Sequence, residues 1–380
     1  MESKLEHKTI VGIDASRSNV KQLTGTEYYS LEIIKEITKI DQFNFRLYSK
    51  TPIEYIDYKK SANVTNKVMR FPRLWSQIRL SFELFRNPPD VTFFPAHTIP
   101  FYHGRKTVVT LHDVGFRHFP ELYTPLERIY HNYSMGFSVK HATRIITISE
   151  ATKKDLIKIY KADPKKITII YHGFDKIKYR PLNSTDKTPD YIKKLGKYIY
   201  FIGRLEAKKN IVNLIKAYGD FRKNSNVKLK LVLAGRPGYL YQDIVAEIDK
   251  CDPTIRKDII ELGYVDDEKV TMLMRMATIF VFPSKFEGFG MPLVEAMASG
   301  VPIVASNTTS IPEIVDNCAL LSDPDDFRSI AKNIKTIAEN SSVAKDCSEK
   351  GLNRAKLFDW EQCARKTMNV VKEAAQISTE

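Results

Sequence analysis

A chain of 380 residues is too long for one ordinary core and predicts two domains of about 150 to 200 residues each. Its apolar fraction of 43% suits a globular protein, and no apolar run approaches the ~18 residues of a membrane span, which excludes the disordered and membrane-spanning classes. The net charge of +14 is uneven: residues 1–190 carry 31 Lys and Arg against 20 Asp and Glu, and residues 191–380 carry 28 against 25, so the basic first half suits either plain solvation or an anionic partner such as lipid, a polyanionic acceptor or nucleic acid.

The charged start, residues 1–8, does not read as a secretory signal, and a cytoplasmic location is expected. Residues 9–14 form the first predicted strand. A polar loop follows to Thr26, then a helix over about 27–40 with Leu31, Ile34 and Ile37 at helical spacing. In that loop Gly25 can bring backbone close to a ligand, and Arg17 and Lys21 are candidates to meet an anionic acceptor. Further strands are predicted at 44–48, 91–94, 107–111, 144–148 and 167–170, with a helix over 124–140 between two of them. This alternation predicts a parallel sheet covered by helices on both faces.

After Pro181 the polar, proline-bounded stretch has no apolar period and predicts a linker at 184–196, separating domains 1–183 and 197–358. Alternation then restarts with strands at 198–202, 229–234, 258–262, 279–282 and 301–305. Two doubly wound α/β sheets in tandem would face across a cleft at the carboxyl ends of their strands. Residues 359–380 begin with an amphipathic helix carrying Trp360, Cys363, Met368 and Val371. It is expected to dock over a sheet edge, crossing back to the first domain. The four cysteines, Cys251, Cys318, Cys347 and Cys363, form no Cys-x-x-Cys pair and read as reduced structural thiols.

Chemistry concentrates in two segments. Around the strand ending at Phe282 the chain runs through Glu287, Gly288, Phe289, Gly290, Met291, Pro292 and Leu293 to Glu295. The glycines let the backbone bend toward a ligand, Pro292 suits the first helical position, and Gly300 suits the helix end. Glu287 then lies in the loop and Glu295 about one turn inside the helix, so both carboxylates can face one pocket at an anion-binding helix start. The second segment is Gly203-Arg204-Leu205, three residues, then Lys209-Asn210. Two cations at a strand–loop–helix junction suit a phosphate clamp, while an Arg204–Glu206 pair with a solvated Lys209 is the structural alternative.

In this order the set Gly203-Arg204-Leu205, Lys209-Asn210, Glu287, seven residues, Glu295 resembles the retaining glycosyltransferases of family 4. Val109-Thr110-Leu111-His112-Asp113, Ile148-Ser149-Glu150 and the Trp360 helix extend the resemblance over nearly the whole chain. It implies the GT-B fold, two Rossmann-like domains facing across a cleft. It also implies that Arg204 and Lys209 neutralise a donor diphosphate, that Glu295 accepts from the ribose hydroxyls, and that Glu287 holds a hydroxyl of the transferred sugar. The amides around Gly288 to Leu293 would help bind the diphosphate and sugar, and His112 would lie beside the donor sugar near the anomeric carbon. Thr24-Gly25-Thr26 departs from the relatives' glycine pair or Gly-x-Gly at that loop.

The expected reaction is transfer of a hexose, mannose as a first choice, from a UDP- or GDP-sugar to a hydroxyl of a glycan, lipid-linked or polysaccharide acceptor, with retention. No Asp-x-Asp metal motif is evident at the cleft, since Asp266-Asp267 and Asp325-Asp326 fall in surface-like turns, so no metal cofactor is expected. Base contacts are expected around Gly263, Tyr264 and Val265. A GT-B-like sugar-nucleotide 2-epimerase is the alternative enzyme. Nucleic acid is not an expected partner, since no aromatic-basic binding motif accompanies the charge. Contact with an anionic membrane through the basic first half is a further expectation, and the sequence leaves the oligomeric state open.

Overall fold

The apolar runs become the interior strands of two parallel sheets in the computed structural model, which describes residues 8–20 and 24–376. Lys21 therefore lies outside the described residues. The chain divides into two units, one comprising residues up to Gly173 together with those from Asp359, the other Phe174–Phe358.

In the first unit the order is β1 (Ile10–Asp14), α1 (Gly25–Ile37), β2 (Asn44–Ser49), β3 (Val64–Val68), α2 (Ser81–Arg86), β4 (Val91–Phe94), β5 (Thr107–Leu111), α3 (Gly115–His118), α4 (Pro125–His141), β6 (Arg144–Thr147), α5 (Glu150–Tyr160) and β7 (Ile167–Ile169). Among the described residues these strands form one seven-stranded sheet in the order β3-β2-β1-β4-β5-β6-β7, every neighbour parallel. Every residue of β4 and β5 is buried, as central strands covered on both faces require. Helix starts are locally encoded. Pro125 fills the first turn of α4, and Thr124 and Glu127 cap each other's backbone N–H groups at 2.9 and 3.3 Å.

The second unit continues with α6 (Asp190–Leu195), β8 (Tyr198–Ile202), α7 (Ile211–Asn224), β9 (Lys230–Ala234), α8 (Tyr241–Asp249), α9 (Pro253–Arg256), β10 (Ile259–Gly263), α10 (Asp267–Arg275), β11 (Ile279–Phe282), α11 (Met291–Ala298), β12 (Ile303–Ser306), α12 (Ile311–Val315), β13 (Ala319–Ser322), α13 (Phe327–Glu339) and α14 (Ser341–Ala355). Its strands form a six-stranded parallel sheet in the order β10-β9-β8-β11-β12-β13. One apolar core joins the inner faces of β8, β9 and β11 to α7 and α13.

Two expectations are corrected. The stretch 184–196 is no linker: it carries α6, and Asp186 is gripped by Arg180 through two bonds of 2.9 and 3.0 Å and by the buried Arg275 at the end of α10. Those charge-assisted bonds tie a polar segment down where no apolar pattern could show it, and the boundary falls at Gly173 instead. The last helix, α15 (Trp360–Gln376), covers no sheet edge: it packs along α1 and over β4, β5 and β6. Central parallel strands need both faces covered, and α15 buries eight residues from Trp360 to Ala374 to do so. Gly173 makes the approach possible, since a β-carbon there would sit 2.2 Å from the Trp360 nitrogen.

Candidate active site

The strand order of the second unit reverses between β8 and β11, and the chain therefore departs in opposite directions at their carboxyl ends, which opens a crevice there. The candidate residues of residues 197–358 hang from these two ends. After β8, Gly203 takes a φ of 150°, and at the same level of β9 a side chain on Gly235 would meet the Gly203 carbonyl oxygen at 1.7 Å. Glycine at 235 lets these two backbones touch, and glycine at 203 allows the positive φ. Arg204 follows, exposed, and among the described residues its guanidinium has no ion-pair partner, so the Arg204–Glu206 alternative is not realised.

Lys209 closes a short 3-10 turn before α7. Its Nζ lies 2.5 Å from Glu287 Oε1 and 5.6 Å from the centre of the Phe282 ring. The two loops are stitched together on either side of this pair. Asn210, left-handed at φ 62°, donates to the carbonyls of Pro283 and Pro324 at 3.1 and 2.6 Å, and the Lys285 N–H donates to the Lys208 carbonyl at 2.9 Å. The structure thus brings a predicted phosphate ligand and a predicted sugar ligand into direct contact.

The Glu287 loop is held from a third side by residues the sequence reading missed. The Glu287 N–H donates to Thr309 Oγ1 at 3.1 Å, and the buried Ser310 hydroxyl lies 2.9 Å from the Glu287 carbonyl and 3.1 Å from that of Phe289. Thr309 holds φ 54°, a strained setting for a β-branched residue, and such strain concentrates at functional sites. At the turn into α11, Gly290 takes φ 100° and would put a β-carbon 2.9 Å from Leu293.

Pro292 stands second in α11, after Met291, and lacks an N–H, while the Leu293 N–H is spent on the Gly290 carbonyl at 2.9 Å. Both corrections follow from the helix opening one residue early on a left-handed glycine. Phe289 and Leu293 are core side chains, Phe289 meeting Phe358 edge-on at 5.8 Å, so any ligand role for them belongs to the backbone.

Glu295 lies in a different setting from Glu287. Burial pushes its carboxyl up to about 7, the negative charge of Asp267 adds to the rise, and a hydrogen bond from Tyr179 and the charge of Lys178 oppose it. Near neutrality it is balanced between acid and carboxylate. At the end of β10, Gly263 is left-handed at φ 63°, and the next residue, Tyr264, is 69% exposed with the Arg236 guanidinium 4.4 Å from its ring centre. Arg236 was not predicted, although Gly235-Arg236 at the end of β9 repeats the Gly203-Arg204 pattern one strand away.

In the first unit, His112 follows β5 but does not point outward. Its ring is 4% exposed, with Nε2 2.8 Å from the Pro95 carbonyl and Tyr29, His97 and His172 rings at 4.8, 5.2 and 5.7 Å. Burial, reinforced by the neighbouring His97, lowers it to about 3, so it is a neutral imidazole. The ring packs in an aromatic cluster under Trp360, in which Tyr29 and His172 lie 5.9 and 5.7 Å from the Trp360 ring. Gly25 is the first residue of α1, and among the described residues a β-carbon there would meet nothing within 4 Å. Arg17, by contrast, reaches Glu27 of α1 at 3.3 Å. Among the described residues no three His, Cys, Asp or Glu side chains gather as a metal-binding group.

Two family profiles match, Glycosyltransferase Family 4 over residues 43–176 and Glycosyl transferases group 1 over residues 185–354. O-antigen chain mannosyltransferase B of Escherichia coli is 30% identical over 371 residues, 92% of this chain and 96% of that protein. The chain belongs to glycosyltransferase family 4. This family 4 glycosyltransferase is also 27% identical to O-antigen chain mannosyltransferase RfbU of Salmonella typhimurium, over 84% of the chain and 88% of that protein. Its fold is GT-B, with two Rossmann-like units. Sucrose-phosphate synthase from Thermosynechococcus elongatus superposes with a TM-score of 0.74 at 16% identity, covering 96% of this chain and 98% of that one. No helix of the glycosyltransferase, among its described residues, is long and apolar enough to cross a membrane.

Proposed function

We propose that this glycosyltransferase moves a mannosyl group from a nucleoside diphosphate mannose, GDP-mannose first, to a hydroxyl of a glycan, lipid-linked or polysaccharide acceptor, with retention at the anomeric carbon. The observation that carries the choice of sugar is the 30% identity, across nearly the full length of both chains, to an O-antigen chain mannosyltransferase. Arg204 and Lys209 take the donor diphosphate. Lys209 must leave Glu287 to do so, and the freed carboxylate then accepts a hydroxyl of the sugar. Glu295, ionised, accepts from the ribose hydroxyls, with Tyr264 and Arg236 flanking the base.

Front-face displacement fits these roles. The acceptor oxygen bonds to the anomeric carbon on the face from which the diphosphate departs, the anomeric C–O bond to the diphosphate breaks, and the acceptor proton passes to a departing phosphate oxygen. Arg204 and Lys209 stabilise the charge that develops there, a task that preorganised donors perform best and that calls for no metal in this reading. In this reading the neutral His112 does not carry the proton. The enzyme works at the cytoplasmic face of a membrane, to which its basic first half is drawn.

A screen of sugar nucleotides for thermal stabilisation tests the donor. GDP-mannose at a hundredfold excess over its dissociation constant should add about 2.7 kcal/mol of stability. Stabilisation by a UDP-sugar and not by GDP-mannose overturns the choice of donor. Conversion of the sugar nucleotide without any acceptor would replace transfer by 2-epimerisation.

A further inference from the structure

Helix α4 is built inside out. Its buried face carries Ser134, Met135, Ser138 and Val139, and the two serines bond inward, Ser138 Oγ to the His97 carbonyl at 2.8 Å and Ser134 Oγ to Thr98 Oγ1 at 3.1 Å. Its outer face, at spacings of three and four residues, presents Leu126, Ile129, Tyr130 and Tyr133, which are 80, 67, 48 and 59% exposed. The apolar surface does not stop at the helix. Tyr133 stacks near Phe137, Phe137 meets the exposed Phe101 at 5.9 Å, and beside Phe101 the Tyr102 ring meets the exposed Phe85 at 5.3 Å. A contiguous exposed patch of this kind marks an interaction surface.

The charges around it choose the partner. Arg117 and Arg128 line, with Ile129, a surface pocket of about 440 Å³ at the start of the stripe, and Arg86, Arg105 and Lys140 are exposed on the segments that carry the other aromatic residues. The acidic residue inside the stripe, Glu127, is committed to capping Thr124. A self-associating face would set these cations against their own copies, because a two-fold contact uses the same patch twice. An anionic lipid surface satisfies both parts. Leucine, isoleucine and aromatic side chains enter the headgroup boundary while arginines meet phosphate.

We propose that α4, with the 101–102 loop and α2, is the surface by which this enzyme docks on an anionic bilayer, with Arg117 and Arg128 on lipid phosphate. The idea deepens the proposed membrane-face setting and rests on it only for its purpose, since docking is measured without transfer. The full chain is sedimented with vesicles of phosphatidylcholine, alone and with phosphatidylglycerol. Binding is expected only with the anionic lipid. The double variant L126Q/I129Q should bind about tenfold more weakly or worse, given the apolar area it removes. R117Q/R128Q should lose binding at low salt and differ little from the parent at high salt. Melting temperatures without ligand check that both variants fold. Variant L126Q/I129Q sedimenting like the parent overturns the proposal, as does failure to bind anionic vesicles at low salt. A concentration-dependent dimer that the variant abolishes, without vesicle binding, assigns the face to a second copy instead. A blank donor screen with intact vesicle binding would sink the proposed reaction and leave the docking surface standing.

Discussion

Lys209 and Glu287 hold each other at 2.5 Å, so without a ligand neither offers its charge outward. A diphosphate outcompetes one carboxylate for the ammonium, and the same event releases Glu287 for hydroxyl recognition. Lys209→Ala is therefore expected to lower turnover by about two orders of magnitude, the usual effect of losing a donor to developing leaving-group charge. Near-normal turnover in a folded variant removes Lys209 from the clamp. Glu295 makes a separate prediction. Its carboxyl titrates at about 7, held up by burial, whereas an unfolded glutamate titrates near ~4.3. Ionising it thus costs the unliganded fold progressively as pH rises from about 4 to 7, and the cost stays constant above that. If the nucleotide needs the carboxylate, its affinity falls by up to tenfold per unit as pH drops below about 7. Calorimetric titration should show that slope in the parent and flatten it in Glu295→Gln; equal slopes discard the ribose role. The positions of both glutamates were legible from the glycine and proline spacing around them. Their different electrostatic settings were not, because Lys209, Asp267 and Tyr179 reach them only through the fold.

At the level of elements, strands were legible wherever burial was complete, and of the four sheet edges β7 and β10 were read while β3 and β13 were not. Strands β4, β5, β8 and β11 are wholly or almost wholly buried and announce themselves as apolar runs. The two missed strands, β3 and β13, are both sheet edges. The first reads Val-Thr-Asn-Lys-Val, with only Val64 buried and no apolar run to find. The seating of α15 was equally hidden, since it depends on a single small residue far away in the chain. Gly173→Ala would force a β-carbon to within 2.2 Å of Trp360 N and 2.7 Å of the Asp359 carbonyl carbon, both backbone atoms that cannot swing aside. The substitution should destabilise the first unit by about 1–3 kcal/mol, seen as a lower urea midpoint for that unit. An unchanged midpoint would mean that α15 shifts freely on the sheet.

For the whole molecule, two parallel sheets were readable from the restart of strand–helix alternation, while the place of the restart was not. Polar residues 184–189 look like a linker because their anchors, Arg180 and Arg275, act through charge instead of apolar pattern. With cations from the protein assigned to the diphosphate, transfer should continue in EDTA; complete loss restored by a divalent metal would overturn that assignment. The first unit is discontinuous, and its sheet receives α15 only from residues after Phe358. On the ribosome this inverts the usual amino-to-carboxyl sequence of domain completion. The second unit has all its strands once Phe358 has emerged, whereas β4, β5 and β6 wait with one face uncovered until the final helix is made, which makes nascent chains stalled before Trp360 the species most exposed to chaperones and proteases.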